Sequence, residues 1–584
     1  MTRERFFLIL GAAAALLAAG GAGAAEKKSG PTWLKPQISI YQPPPVEGST
    51  STVFRTVDPQ IIQKLIELLD ETSLGKSEST GSEETPLLED LKTFVTPEGL
   101  ELKNRYTRLG VALAESLGWE GIKHVRVISE QNLKQRLTTV ARWDNQPNVR
   151  SIALIALASL KDKNDAVYFK EALWSRNIGI RFAAMEALET WGFPEAVPIF
   201  EDSVKNDDSL LIRVIAARGL VALGRKPGLD YLRSNLTSND WLVRALSAKV
   251  LGDVGAVEDY DLLVDQINRE QTLSSSNEFV MAEISIAALK LFPAKIEQDR
   301  QRRERKRRPE APSQSVTEKT VKPAADVLFE LEPLIVTAPR LRIPEDEPVD
   351  SRVNFQLLKM LREKEDLRLT EDMANKSPAY LDLNSLVTPN GIGLKSRYTV
   401  LGYLLAEGLA GTKDFQLLDE LVRLAREGKN PDVRSFALIA LSYSKDRSHL
   451  ALFQEALRRE NSVQDRFAAV EAFRHWGYDD AVSILLGVSR LDRSPIIRIY
   501  ASQVVLRLGE PMGKDVLLRS LNDQEWVVRA MAMRYLGELG GGEDYSKLLS
   551  YFGLEREKIV QAEMCSSLLR LYAKKNEEEE SEAR

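Results

Sequence analysis

The residues of this chain that repeat in register are equipped to bind rather than to catalyse. Lys103, Arg105 and Tyr106 return as Lys395, Arg397 and Tyr398. Two cations beside a phenol offer donors suited to the carboxylates and carbonyls of a protein partner, so these six are the candidate partner contacts. A second set is Arg302, Arg303, Arg305, Lys306, Arg307 and Arg308, interrupted by Glu304. Such a run either attracts a polyanion, for instance lipid headgroups or an acidic glycan, or forms a solvated linker that extends the preceding helix. Covalent chemistry has less footing. His124, His449 and His475 do not align across the repeat, and Cys565 is the sole cysteine, which excludes a disulfide framework and a multi-thiolate zinc site. Glu258-Asp259 and Glu543-Asp544 read as helix starts. With no nucleophile–base constellation, phosphate loop or metal cluster in the sequence, the expectation is a non-enzymatic protein without catalytic, cofactor or metal residues.

The six contact residues lie in a duplicated stretch. Val95-Thr-Pro-Glu-Gly-Leu-Glu-Leu-Lys-Asn-Arg-Tyr-Thr-Arg-Leu-Gly110 recurs as Val387-Thr-Pro-Asn-Gly-Ile-Gly-Leu-Lys-Ser-Arg-Tyr-Thr-Val-Leu-Gly402, identical at 11 of 16 positions. Thr96-Pro97 and Thr388-Pro389 read as helix or turn starts, and the stretch as a subdomain capping each stack. A shorter period runs inside each half. Arginines recur at 150, 181, 213 and 244, and again at 434, 466, 498 and 529, spaced 31 or 32 apart. Each is followed by a helical apolar stripe, such as Ala183, Ala184, Ala187, Leu188 and Trp191 after Ile180. The arginines should pair with acidic or carbonyl groups of the neighbouring repeat. Asn148, Asn177, Asp208 and Asn239 are expected as N-caps, Gly192, Gly224 and Gly252 as left-handed C-caps, and Trp191 and Trp476 as core anchors. A two-helix unit of about 31 residues cannot bury its apolar face alone and must stack.

Asp240-Trp-Leu-Val-Arg-Ala-Leu-Ser-Ala-Lys-Val-Leu-Gly252 and Glu525-Trp-Val-Val-Arg-Ala-Met-Ala-Met-Arg-Tyr-Leu-Gly537 resemble HEAT-like repeats of the short, phycobilisome-lyase type. The resemblance spans about residues 130–270 and 415–555. It implies an all-α fold of two α-solenoid lobes, built of stacked helical hairpins and joined by a flexible linker. It also implies concave faces that recognise protein partners. Bilin lyases of this kind pair two such solenoids, which leaves a lyase-like or small-ligand-handling protein as the alternative. Envelope or glycan binding through the Arg-rich linker is a third reading.

The organisation that follows is a signal peptide (1–25), a Pro-rich strap (26–57), lobe 1 (58–294), an Arg-rich then Pro-rich linker and strap (295–349), lobe 2 (350–574) and an acidic disordered tail (575–584). Arg3 and Arg5 precede an apolar run from Phe6 to Leu17, and Ala22-Gly23-Ala24 offers a cleavage pattern near Ala24/Ala25. That implies export to a bacterial periplasm or exterior, with peripheral envelope association, and a nearly cysteine-free chain agrees with it. At 584 residues, 43% apolar and 28% charged, the chain is long enough for several packed units. A net charge of -6 argues against nucleic acid as the partner.

Overall fold

The computed structural model describes residues 59–69, 90, 93–106, 113, 129–272, 277–307, 351–363 and 366–583, less 384, 385, 387, 411, 413 and 459. The expected signal peptide, the 26–57 strap and the linker from Arg308 to 349 lie outside the described residues. In half 1 the helices are α1 (Pro59–Leu69), α2 (Pro97–Tyr106), α3 (Ser129–Trp143), α4 (Pro147–Ser159), α5 (Ala166–Ala172), α6 (Ile178–Trp191), α7 (Val197–Asn206), α8 (Leu210–Ala222), α9 (Lys226–Asn235), α10 (Trp241–Val254), α11 (Asp259–Thr272) and α12 (Glu278–Arg307). Half 2 comprises α13 (Ser351–Glu363), α14 (Glu371–Asn375), α15 (Pro378–Leu383), α16 (Pro389–Arg397), α17 (Leu401–Leu409), α18 (Phe415–Glu427), α19 (Pro431–Ser442), α20 (Leu450–Ala456), α21 (Val463–Trp476), α22 (Asp480–Leu491), α23 (Pro495–Arg507), α24 (Met512–Ser520), α25 (Trp526–Leu539), α26 (Asp544–Leu549) and α27 (Lys558–Ala583). The protein is all-α. Its described residues include a single β-bridge, between Arg368 and Val400.

The repeat signals act locally much as their chemistry predicts. Asn177 accepts from the Ile180 N–H at 3.1 Å at the start of α6. Elsewhere the caps fall differently: Ser209 caps α8 and Asp240 caps α10, each one residue after the expected position, while Asn148 lies inside α4. Gly192 and Gly224 end their helices at φ 71° and 70°, the left-handed region where a Cβ is unfavourable. Gly252 does something else. It lies inside α10, where a Cβ would stand 2.5 Å from the Ala287 Cα of α12, so its bare backbone permits helix–helix approach instead of a turn.

The arginine ladder ties successive repeats together. Arg181 pairs with Asp207 at 3.0 Å, Arg244 with Glu270 at 2.6 Å, Arg434 with Asp465 at 2.7 Å, Arg466 with Asp492 at 2.9 Å and Arg529 with Glu555 at 2.7 Å. Arg150 and Arg498 donate to the Ala141 and Asp492 carbonyls at 3.0 and 2.8 Å, and Arg213 to that of Asp207. The indoles of Trp191 and Trp476 are buried and donate one repeat back, to the Asp162 and Asp446 carbonyls at 2.7 and 3.0 Å.

The helices form two layers. An inner series runs α4, α6, α8, α10, α12, α17, α19, α21, α23, α25, α27, each packed on the next. It passes from half 1 to half 2 without a break, because α17 seats directly on α12: Gly408 brings its backbone against Ile286 of α12 and Leu357 of α13. At the other end α1 packs on both α27, the last helix, and α3, at the start of half 1, so the array closes into a ring. The expected all-α solenoid of stacked helical hairpins is what forms. The halves are fused through their helix stacks, since an end repeat left open would expose its apolar face.

The Arg-rich start of the linker extends a helix: α12 continues past Pro293 to Arg307, with Lys295 held to Asp261 at 2.7 Å. The 575–584 tail is not disordered through its length, because α27 extends to Ala583. Once the buried part of α27 is formed, adding Lys and Glu residues is cheap, and Glu578 receives the Gly542 N–H at 3.2 Å.

Candidate functional site

In a free solenoid the inner helices keep one face for solvent. Here they do not. Of α6, the stretch from Gly179 to Leu188 is buried, and of α25 almost every residue from Trp526 to Gly537. The outer face of this layer meets the outer helices, and the inner face is covered by the duplicated Thr-Pro-x-Gly segments, each laid across the opposite half.

The first segment, residues 93–106, docks on half 2. Phe94 stacks on Phe467 of α21 at 4.1 Å between ring centroids. Arg105 binds Glu563 of α27 through two nitrogens, one at 2.8 Å, with both side chains fully buried. Glu98 pairs with Arg474 at 3.4 Å, its N–H donates to Glu471 at 3.3 Å, and Glu101 pairs with Arg534. Tyr106 lies edge-on to Trp526 at 6.4 Å.

The second segment repeats these contacts on half 1. Arg397 binds Glu283 of α12 through two nitrogens, one at 2.9 Å, and Tyr398 donates to the same carboxylate at 2.8 Å. Tyr398 lies edge-on to Trp241 at 6.3 Å, the counterpart of the Tyr106–Trp526 contact. The Ser377 hydroxyl and the Ala379 N–H, ahead of and in α15, donate to Asp240 at 2.6 and 3.0 Å, so one carboxylate caps a helix in each half. Ser209 donates to Asp382 at 2.5 Å, as Ser494 does to Asp90 at 3.2 Å. Asn104 donates to Ser396 at 2.7 Å. These two residues are equivalents in the duplication, and equivalents touch only near the axis relating the copies. The ring therefore has a pseudo-twofold axis between α2 and α16.

The candidate partner contacts thus serve inside the chain. Arg105, Tyr106, Arg397 and Tyr398 are buried, and Lys103 and Lys395 are half-buried. Motif fidelity arises because both copies must fit the same kind of socket, which corrects the reading of these residues as an external surface. It also corrects the reading of the segment as a cap on its own stack. Of the candidate polyanion contacts, Arg302 and Arg303 are exposed on the α12 extension; Arg305, Lys306 and Arg307 belong to the same helix, and Arg308 lies outside the described residues. Sequence reasoning missed the acidic partners Glu283, Glu407 and Glu563. The signal was present, for Ala282-Glu283 and Ala562-Glu563 recur in the last helix of each half.

Around Arg397 the charges form one network. Glu407 also binds Arg397 and lies 3.3 Å from Lys290; Lys290 reaches Asp253 at 2.7 Å, and Lys249 reaches Asp253 at 2.6 Å. Burial alone would raise the Glu407 carboxyl, but Arg397, Lys290 and Lys249 outweigh it and hold it well below the usual carboxylate range. Burial likewise opposes ionised Asp253, and Lys249 and Lys290 win there too. A depressed carboxylate stabilises the fold above its unfolded value and loses that contribution as pH falls through its folded value. Stability should therefore stay level from about pH 5 to 8 and decline progressively below about pH 4, as checked by urea midpoints across that range. A midpoint that already drops between pH 7 and 5 would contradict this.

Among the described residues no group of three or more His, Cys, Asp and Glu side chains is placed to hold a metal ion, and no helix is long and apolar enough to cross a membrane. Burial pushes the Cys565 thiol up to about 12. Comparison with solved structures finds Kap121p bound to Pho4p (11% identity, 89% of this chain and 55% of that chain, TM-score 0.31). It also finds human deoxyhypusine hydroxylase in complex with glycerol (15% identity, 65% of this chain and 96% of that chain, TM-score 0.21). The chain spans about 55% of the length of Kap121p, and the ring described above rests on its own contacts. No curated protein matches the chain. Residues 485–568 match the family model of HEAT repeats, to which that part of the chain is similar.

Proposed function

We propose that this protein is a non-enzymatic scaffold, exported in a bacterium, that binds protein partners on the outside of a self-filled helical ring. The observation that carries this reading is the exposed aromatic pair Trp143 and Trp174, 70% and 77% accessible. They end or follow outer helices α3 and α5, one repeat apart, and Val167 of α5 is exposed as well. Arg142 spans Trp143 and Tyr168, 5.0 and 5.6 Å from their ring centres. Half 2 carries Glu427 and Arg458 at the equivalent positions, so the feature is not needed for stacking. Exposed tryptophans flanked by arginine match the composition of interface hot spots. The concave faces, the usual recognition surface of a solenoid, are occupied by the chain itself.

The test is affinity capture from the native envelope with the wild type and with Trp143→Ala/Trp174→Ala. Both side chains are exposed, so the variant should melt within about 1 kcal/mol of the wild type. It should lose a partner that the wild type retains, with affinity reduced at least about tenfold. An identical set of captured proteins would sink the reading.

A further inference from the structure

The two sockets are built alike, but they differ in charge at one place. The first segment, plug 1, carries Glu98 where the second segment, plug 2, carries Asn390; socket 2 is the face of half 2 that receives plug 1, and socket 1 the face of half 1 that receives plug 2. Socket 2 meets Glu98 with Arg474, at 3.4 Å, whose guanidinium also donates to the Tyr500 hydroxyl at 3.1 Å. At the equivalent of Arg474, socket 1 carries Glu189, buried and engaged by Arg218; at the equivalent of Glu471 it carries Glu186, fully buried. The other partners that a plug needs are of the same kind in both sockets: a cation (Lys249, Arg534), which plug 1 uses for Glu101 where plug 2 has Gly393, a tryptophan for the tyrosine (Trp241, Trp526) and a glutamate for the arginine (Glu283, Glu563).

We propose that the Glu98–Arg474 couple decides which half each plug enters, making the halves a matched pair that assembles in one combination even without a covalent link. Plug 1 turned onto its own half, or onto half 1 of a second copy, would bring the Glu98 carboxylate against Glu186 and Glu189. Three carboxylates with one guanidinium, out of water, repel. Plug 2 brings no charge to that place, and Glu98 finds its cation only in half 2. A fused pair of identical halves would lack this distinction and would allow like halves to join.

The intact chain tests this. A protease site placed between residues 311 and 322 is cut after folding, and the nicked protein is then diluted. Nicked wild type should remain one particle containing both halves. Arg474→Glu should weaken their association by at least about 30-fold, and Glu98→Lys added to it should restore about tenfold or more, which loss of packing alone would not allow. Native mass spectrometry of nicked Glu98→Asn should show pairs of half 1 that nicked wild type lacks. Separation of the nicked wild-type halves, no gain from the double charge swap, or half-1 pairs already abundant in the wild type would each overturn the proposal.

Discussion

Arg397→Met will cost about 3–5 kcal/mol of folding stability, because it strips the cation from two buried carboxylates at once. Glu283 is fully buried and Glu407 partly so, and Arg397 contacts both while lying 5.5 Å from the ring centre of Tyr403. Methionine fills much of the same volume, so the loss is electrostatic and not a cavity. Arg397→Lys should recover little, since a point charge cannot make the two-nitrogen contact with Glu283 while reaching Glu407. Adding Glu283→Gln and Glu407→Gln to Arg397→Met should recover part of the loss, because the uncompensated charges go. Urea unfolding of the four proteins measures this, and both halves should unfold together, each being the other's lining. A wild-type midpoint for Arg397→Met would show the network to be dispensable.

Trp241→Ala should be comparably damaging, at about 3–5 kcal/mol. Its ring meets Phe279 at 5.7 Å within half 1 and Tyr380 and Tyr398 at 5.6 and 6.3 Å from half 2, and its indole N–H reaches the Met373 carbonyl at 2.9 Å. Removing it empties a contact between the halves and leaves that carbonyl without this donor. The second plug should loosen before the stacks do. Limited proteolysis at Lys376 and Lys395 should accelerate well below the melting temperature, while Trp241→Phe, which keeps the aromatic contact, should stay near wild type. Unchanged cleavage in Trp241→Ala would mean that the plug is held elsewhere.

Much of the architecture was legible in the chain because it depends on contacts close in sequence. Arg181, Arg244, Arg466 and Arg529 find their acids 26 residues on, one repeat away, so the period alone predicts the ladder. Trp191 and Trp476 end their apolar stripes and are buried there. The expected tail failed at the margin, where composition describes a free chain but a preformed helix offers a template. The plugs failed for a different reason. A repeated Lys-x-Arg-Tyr shows that both copies meet the same demand; it does not show what makes that demand.

Arg105 and Glu563 are 458 residues apart, and Arg397 and Glu283 are 114 apart in the reverse order. No period links them, and each half contains both an arginine and a glutamate that would match within itself. The sequence by itself determined the stacked helices, the repeat-to-repeat ion pairs and the fact of duplication, because periodicity and capping act over a few turns. Only the tertiary structure decided that the stacks close on one another and that each plug crosses to the other half. The physical reason is that two solenoids with open ends and bare concave faces bury the most apolar surface, and pair the most buried charge, by filling each other.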